Sequence, residues 1–291
     1  MTQATAQTLR IALAQLNPTV GDVAGNLALA RDARRTAAQE GADLVVFTEL
    51  FLSGYPPEDL VLKPAFLKAC WRALEELVED TKDGGPGLII GLPRQSEKGR
   101  HNSAAIVDGG KILSLRDKID LPNYGEFDEK RVFDEGEMPG PVNFRGVRIG
   151  VPICEEIWND LGVCETLAES GAELLIVPNG SPYHRGKVDV RHQVALRQVI
   201  ESGLPLIFVN QLCGQDELVF DGASFGFNAD KSLAFQMPEF ETALAVTDWR
   251  RDGGTWRCAS GPVVHIPEQE EADYRACLLG FRDYVNKNGF K

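Results

Sequence analysis

Three residues of this 291-residue chain combine reactive chemistry with one kind of position. Cys154 closes the apolar run Arg148 to Ile153, Glu49 follows Val45-Val46-Phe47, and Lys118 lies just past Lys111 to Arg116. A thiol can attack a carbonyl carbon, a carboxylate can take the thiol's proton, and a cation can hold the oxyanion that the attack creates. Together these are the parts of acyl transfer. A single cysteine among apolar residues is ordinarily an inert core side chain. A single Glu or Lys at a strand end is ordinarily a solvated loop charge. The reading therefore rests on all three standing at equivalent places.

The elements that would position them follow from periodicity. Arg148 to Ile153 has the Val/Ile content of a buried strand, and Cys154 to Trp158 suits the first turns of a helix running through Glu169, with N–H groups beside the thiol. Ala42 to Phe47 is a continuous apolar strand of the kind covered on both faces. Arg10 to Leu16, Gly87 to Leu92, Glu173 to Pro178, Pro205 to Asn210 and Ala243 to Trp249 read as further strands. Asn102 to Val107 and Lys111 to Arg116 form a hairpin about Asp108-Gly109-Gly110, and a second strand pair spans Gly222 to Phe235. Helices fall at Asn26 to Glu40, Pro64 to Val78 and Val188 to Ser202. This alternation predicts an α/β fold with a mixed, helix-covered sheet, in which ligands gather at the carboxyl ends of strands. From Glu268 a final helix places Tyr274, Cys277, Leu278, Phe281 and Val285 on one face.

Composition narrows the partners. The chain carries 30 basic and 43 acidic residues, a net charge of −13, which argues against nucleic acid or an anionic membrane surface. No apolar run approaches the roughly twenty residues of a membrane span, and the N-terminus has no secretion-signal pattern. Six cysteines without a C-x-x-C pair indicate reduced thiols and a cytoplasmic location. The four histidines have no metal-ligand spacing, so no metal site is expected.

Several longer blocks carry a resemblance. They are F-T-E-L-F-L-S-G-Y-P-P-E-D-L (47–60), K-I-D-L-P-N-Y-G-E-F-D-E-K-R-V-F (118–133), G-V-P-I-C-E-E-I-W (150–158), P-N-G-S-P-Y-H-R-G-K (178–187) and N-Q-L-C-G-Q-D-E-L-V-F-D-G-A-S-F (210–225). With these the chain resembles the nitrilase superfamily of carbon–nitrogen hydrolases, and within it the amide-hydrolysing branch joined to glutamine-dependent NAD synthetases. The resemblance implies a four-layer α-β-β-α sandwich and a triad of Glu49 as general base, Lys118 as oxyanion-holding cation and Cys154 as nucleophile. Glu129 would be an accessory glutamate. Tyr124, Ser181 and Lys187 would contact L-glutamine, and Glu155 would offer its backbone N–H to the oxyanion. It further implies a hydrolase domain over residues 1–266 and a linker helix over 267–291. That helix would lead to a synthetase domain or subunit that receives the ammonia and, unlike this chain, uses ATP and Mg2+. No S-G-G-x-D-S loop occurs here to serve that step. A homo-oligomer is expected, since members associate through helical faces. Two rivals are a stand-alone amidase, carbamoylase or nitrilase, and a non-catalytic binding module.

Overall fold

The computed structural model describes residues 6–290. In chain order its strands are β1 (Thr8–Gln15), β2 (Leu44–Val46), β3 (Gly87–Ser96), β4 (Gly99–Asp108), β5 (Lys111–Asp117), β6 (Val142–Phe144), β7 (Val147–Gly150) and β8 (Leu174–Asn179). They continue as β9 (Leu206–Asn210), β10 (Leu212–Gln215), β11 (Leu218–Asp221), β12 (Phe225–Phe227), β13 (Leu233–Gln236), β14 (Ala243–Asp252) and β15 (Thr255–Ser260). The helices are α1 (Val23–Gln39), α2 (Pro64–Asp80), α3 (Val163–Glu169), α4 (Lys187–Ser202) and α5 (Gln269–Lys287).

Two sheets lie face to face. One has seven strands in the order β15-β14-β1-β2-β3-β4-β5, the other six in the order β13-β12-β9-β8-β7-β6, and β10–β11 is a separate hairpin. Side chains alternate across each strand, so a strand covered on both faces must be apolar throughout. In β1, Leu9, Ile11 and Leu13 point between the sheets, where they meet Ile149, Leu174, Ile176, Ile207 and Val209 of the second sheet. The other faces of β1 and β2, with Ala12, Ala14 and Val45, pack on Leu27, Ala30 and Ala33 of α1 and Leu74 and Leu77 of α2. The second sheet does the same with Leu175, Val177 and Phe208 against α3 and α4. The result is the four-layer α-β-β-α sandwich that the resemblance implied. Among the described residues no helix is long and apolar enough to cross a membrane.

One element differs from the sequence reading. Cys154 does not begin the helix that reaches Glu169. A single 3-10 turn, Cys154–Ile157, follows the strand, and α3 starts only at Val163 after Gly162 has entered the left-handed region at φ 75°. Helix α5 forms at its expected place and seats on the protein through its small-residue face. Its buried residues are Ala272, Ala276, Leu279 and Asp283, while Tyr274, Cys277, Leu278 and Phe281 face solvent. The cause is close approach: a Cβ on Gly214 of β10 would meet the Gly280 Cα at 2.8 Å, so only a small-residue stripe can seat there. Asp283 completes the contact by accepting the Gly214 N–H at 2.8 Å and the Asn17 amide at 2.7 Å.

Candidate active site

The three reactive residues come from both sheets and meet at the strand ends. Past β2, Phe47 still donates to the Ile89 carbonyl at 2.8 Å, after which the chain turns away through Leu50 at φ 49°. The turn presses so closely on β3 that a Cβ at Gly91 would sit 2.2 Å from the Leu50 nitrogen, so glycine is required there. This holds Glu49 inside the protein, 1% exposed. Its Oε1 accepts the Lys118 ammonium at 2.7 Å and the Asn102 amide at 2.7 Å; its Oε2 accepts the Gly180 N–H at 3.0 Å.

Lys118 leaves β5 with its own N–H bonded to the Asn102 carbonyl at 2.8 Å. Its fully buried ammonium also reaches both oxygens of Glu129, at 3.0 and 2.9 Å. Burial alone would lower its pKa, but the Glu129 and Glu49 carboxylates outweigh that and hold it well above the ordinary lysine value. Lys118 is therefore an ammonium ion throughout the working range of pH. Glu129 has the opposite balance. Burial and the neighbouring Glu49 push its carboxyl up to about 7 despite Lys118. Tyr55 donates to Glu129 at 3.0 Å and Asn102 lies 3.4 Å from its other oxygen.

Cys154 is the first residue of the 3-10 turn, at φ 43°, and is 4% exposed. This left-handed backbone in a non-glycine residue is the strained geometry of a nucleophile elbow. Burial and then the charge of Glu49 raise its thiol well above the usual value, with Lys118 pulling it down and the Gly180 backbone bonded to it. These surroundings favour the neutral thiol, and Glu49 is the carboxylate whose charge acts most strongly on it.

Around this centre lies a second set of side chains. Glu155, 3% exposed, accepts the Tyr124 hydroxyl on both oxygens at 2.9 Å and the Asn159 amide at 2.9 Å. Burial raises its carboxyl pKa. Tyr124 itself is 56% exposed, its ring set edge-on to Phe127 at 5.6 Å. Lys187, the first residue of α4, holds its ammonium 4.5 Å above the Trp158 ring. Burial and then Arg191 lower its pKa. Ser181 is buried behind them. Its Oγ accepts from Arg191 at 3.0 Å, and its backbone is held by Asn210 on both sides at 2.9 and 3.0 Å.

Tyr55, Asn102, Arg191 and Asp221 belong to the site but carried no chemical signal of their own. Tyr55 and Asp221 lie within the quoted blocks 47–60 and 210–225. Arg191 is fully buried and bidentate to Asp221 at 2.7 and 2.8 Å, and it also donates to the Ser181 and Pro182 carbonyls at 2.8 and 2.9 Å. It shapes the 181–183 loop from behind.

Comparison with known proteins agrees with this arrangement. Residues 10–257 match the family model described as carbon-nitrogen hydrolase. The glutamine-dependent NAD(+) synthetase of Rhodobacter capsulatus is 46% identical over 97% of this chain and 50% of its own length. The structure of glutamine-dependent NAD+ synthetase from Acinetobacter baumannii in complex with ADP superposes with a TM-score of 0.89 at 34% identity, over 96% of this chain and 52% of that one. A variant of the amidase from Nesterenkonia sp. AN1, bearing the acetamide moiety of fluoroacetamide on its active-site cysteine, gives a TM-score of 0.75 at 27% identity, covering 86% and 93%. The chain thus spans about half the length of the synthetases it matches, and nearly all of the amidase. With the sandwich, the elbow cysteine and the matched segment in agreement, the chain belongs to the carbon-nitrogen hydrolase family.

Proposed function

We propose that this chain hydrolyses the side-chain amide of L-glutamine through a thioester on Cys154, as the ammonia-producing part of a glutamine-dependent NAD synthetase. The observation that carries the reading is the pairing of Glu49 and Lys118 at 2.7 Å beside Cys154, rimmed by a carboxylate, Glu155, and an ammonium, Lys187. A free amino acid brings a carboxylate and an ammonium of its own, and such a rim suits both.

Glu49 takes the Cys154 proton as the sulfur attacks the amide carbon. The oxyanion is held by the Lys118 ammonium and the backbone N–H of Glu155, one such donor being worth roughly 3 kcal/mol. Lys118 bonds Glu49 Oε1 and both oxygens of Glu129, so the oxyanion draws on a hydrogen that one Glu129 oxygen otherwise accepts. Glu49 hands its proton to the departing nitrogen, so ammonia leaves and a thioester remains. Glu49 then deprotonates a water that attacks the thioester. Glu49 returns that proton to the departing sulfur, so glutamate is released and the free thiol and carboxylate are restored. Ammonia passes to an ATP- and Mg2+-dependent synthetase part supplied by another domain or subunit.

The 46% identity to a synthetase favours glutamine over the simple amides of stand-alone relatives. The deciding experiment is release of glutamate and ammonia from glutamine by the purified chain, with asparagine and acetamide alongside. Glutamine-selective turnover that disappears in Cys154→Ala is expected. Preference for acetamide would move the chain to the stand-alone amidases, and turnover surviving in Cys154→Ala would sink the thioester.

A further inference from the structure

Glu156 is 1% exposed and takes no part in the chemistry above, yet its carboxylate is bonded on both oxygens. Its Oε2 accepts the N–H of Ile153, the residue before Cys154, at 2.7 Å, and also takes Arg116. Its Oε1 accepts the N–H of Ile119, the residue after Lys118, at 2.7 Å. Arg116 in turn donates to the Asp117 carbonyl, next to Lys118. Three donors flanking the two catalytic residues thus converge on one buried carboxylate.

The placement matters because Cys154 follows β7 of the six-stranded sheet, whereas Lys118 follows β5 of the seven-stranded sheet. Apolar packing between sheets is non-directional and sets no ångström-scale register between their loops. Directional bonds do. One such tie is Gly180 to Glu49, made by a reacting group. Glu156 supplies another without touching the reaction. We propose that Glu156 is a positioning residue whose carboxylate locks the Cys154 segment to the Lys118 segment, and so fixes the distance between nucleophile and cation.

This rests on the triad reading and not on glutamine as the substrate. Glu156→Gln is the sharpest variant, because an amide offers one acceptor oxygen to three donors and must turn an N–H₂ against one of them. The first readout is iodoacetamide alkylation of Cys154, followed by mass spectrometry as a function of pH. The second is turnover of whichever amide the wild-type chain hydrolyses. In Glu156→Gln the alkylation midpoint should move up, since Lys118 no longer sits to lower it, and kcat should fall by about 100-fold with KM within about twofold. Glu156→Asp, which keeps the charge at shorter reach, should recover part of both. A folded Glu156→Gln protein with the wild-type midpoint and kcat would overturn the proposal, as would a loss of turnover that merely tracks the folded fraction at an unchanged midpoint. Should Glu156→Gln not fold, Arg116→Lys retains a cation but loses the fork to Glu156 and Asp117. A several-fold drop in kcat at constant KM is expected there, and wild-type kcat would overturn the proposal. A wild-type chain that hydrolyses no amide would defeat the functional reading alone, because the alkylation midpoint still tests Glu156.

Discussion

The proposed catalytic centre and the rim around it use the same residue types in opposite ways. In the centre, Glu49, Lys118, Glu129, Asn102 and Tyr55 are buried and bond to one another, so the cluster is complete before any substrate arrives. On the rim, Tyr124 is more than half exposed, Lys187 rests on the Trp158 face with no carboxylate at bonding distance among the described residues, and Glu155 is capped by neutral groups. A closed charge cluster holds its cation in place before the oxyanion develops, which is how preorganised electrostatics accelerate a reaction. An open set of charges is what a zwitterionic ligand can complete. Centre substitutions should therefore act on kcat and on stability together, and rim substitutions on KM.

The largest effect is expected from Lys118→Met. It strands Glu49 and Glu129 as buried carboxylates with no cation, a loss that costs about 3–5 kcal/mol in comparable buried pairs. Turnover should fall at least about 10³-fold with a clear drop in melting temperature. Unchanged stability would show that the cluster is not closed as described. Next comes Glu129→Gln. Its carboxyl is pushed up to about 7, above the ordinary 4.5, so the neutral form fits the fold better. The stability this contributes is complete below about 4.5 and is lost as pH rises through about 7. Gln mimics the neutral form at every pH. The wild type should thus lose on the order of 3 kcal/mol relative to Glu129→Gln between pH 5 and 8, read by denaturant unfolding at each pH. Parallel curves would mean that Lys118 holds Glu129 ionised throughout. On the rim, Lys187→Met should raise KM by about 30-fold, the worth of one charge-assisted bond, and leave kcat within about threefold. A kcat loss of the same size would erase the distinction between the two regions.

The sequence showed some of this and concealed the rest for physical reasons. Glu49 and Cys154 were legible because each carries reactive chemistry just past an apolar run, which betrays its own end, and Lys118 because it follows the hairpin strand Lys111 to Arg116. Asn102 and Tyr55 were not, because an amide inside a strand and a phenol in a Pro-rich loop acquire meaning only when the chain brings them to Glu49 and Glu129, which lie 53 and 74 residues away in sequence. The pairing of β3 with β4 was likewise hidden, since the polar stretch Pro93 to Asn102 continues the ladder past the apolar part that marks a strand. In α5 two stripes share the helical period, and hydrophobicity alone prefers the aromatic one. The backbone contact between Gly214 and Gly280 selects the small one instead. Periodicity detects a helix; which face it buries depends on how near its neighbour comes. The break after Cys154 has a local cause as well. Glu156 turns its side chain back onto the Ile153 N–H, which satisfies the turn, and Gly162 diverts the chain before a helix can propagate.

The smallest expected effect, and the finest test of the boundary between the two regions, is Tyr124→Phe. The substitution keeps the ring on Phe127 and removes one hydroxyl that serves both oxygens of Glu155. Glu155 is one residue from the nucleophile, so a change there could register in either region. Burial already raises the Glu155 carboxyl, and the Tyr124 and Asn159 bonds oppose that rise. Without the hydroxyl the pKa must go up further, so at a given pH less of Glu155 is ionised to receive the substrate ammonium. A hydrogen bond to a charged group is worth about 1.5 kcal/mol, which corresponds to a KM increase of roughly tenfold. The sign of the pH dependence follows: the KM penalty should grow as pH falls from 8 to 6, because the raised carboxyl protonates first in the variant. Steady-state kinetics at both pH values would check this. A penalty that is flat with pH would mean that Tyr124 contacts the substrate directly. A fall in kcat at constant KM would place Glu155, and the hydroxyl that steadies it, with the catalytic centre.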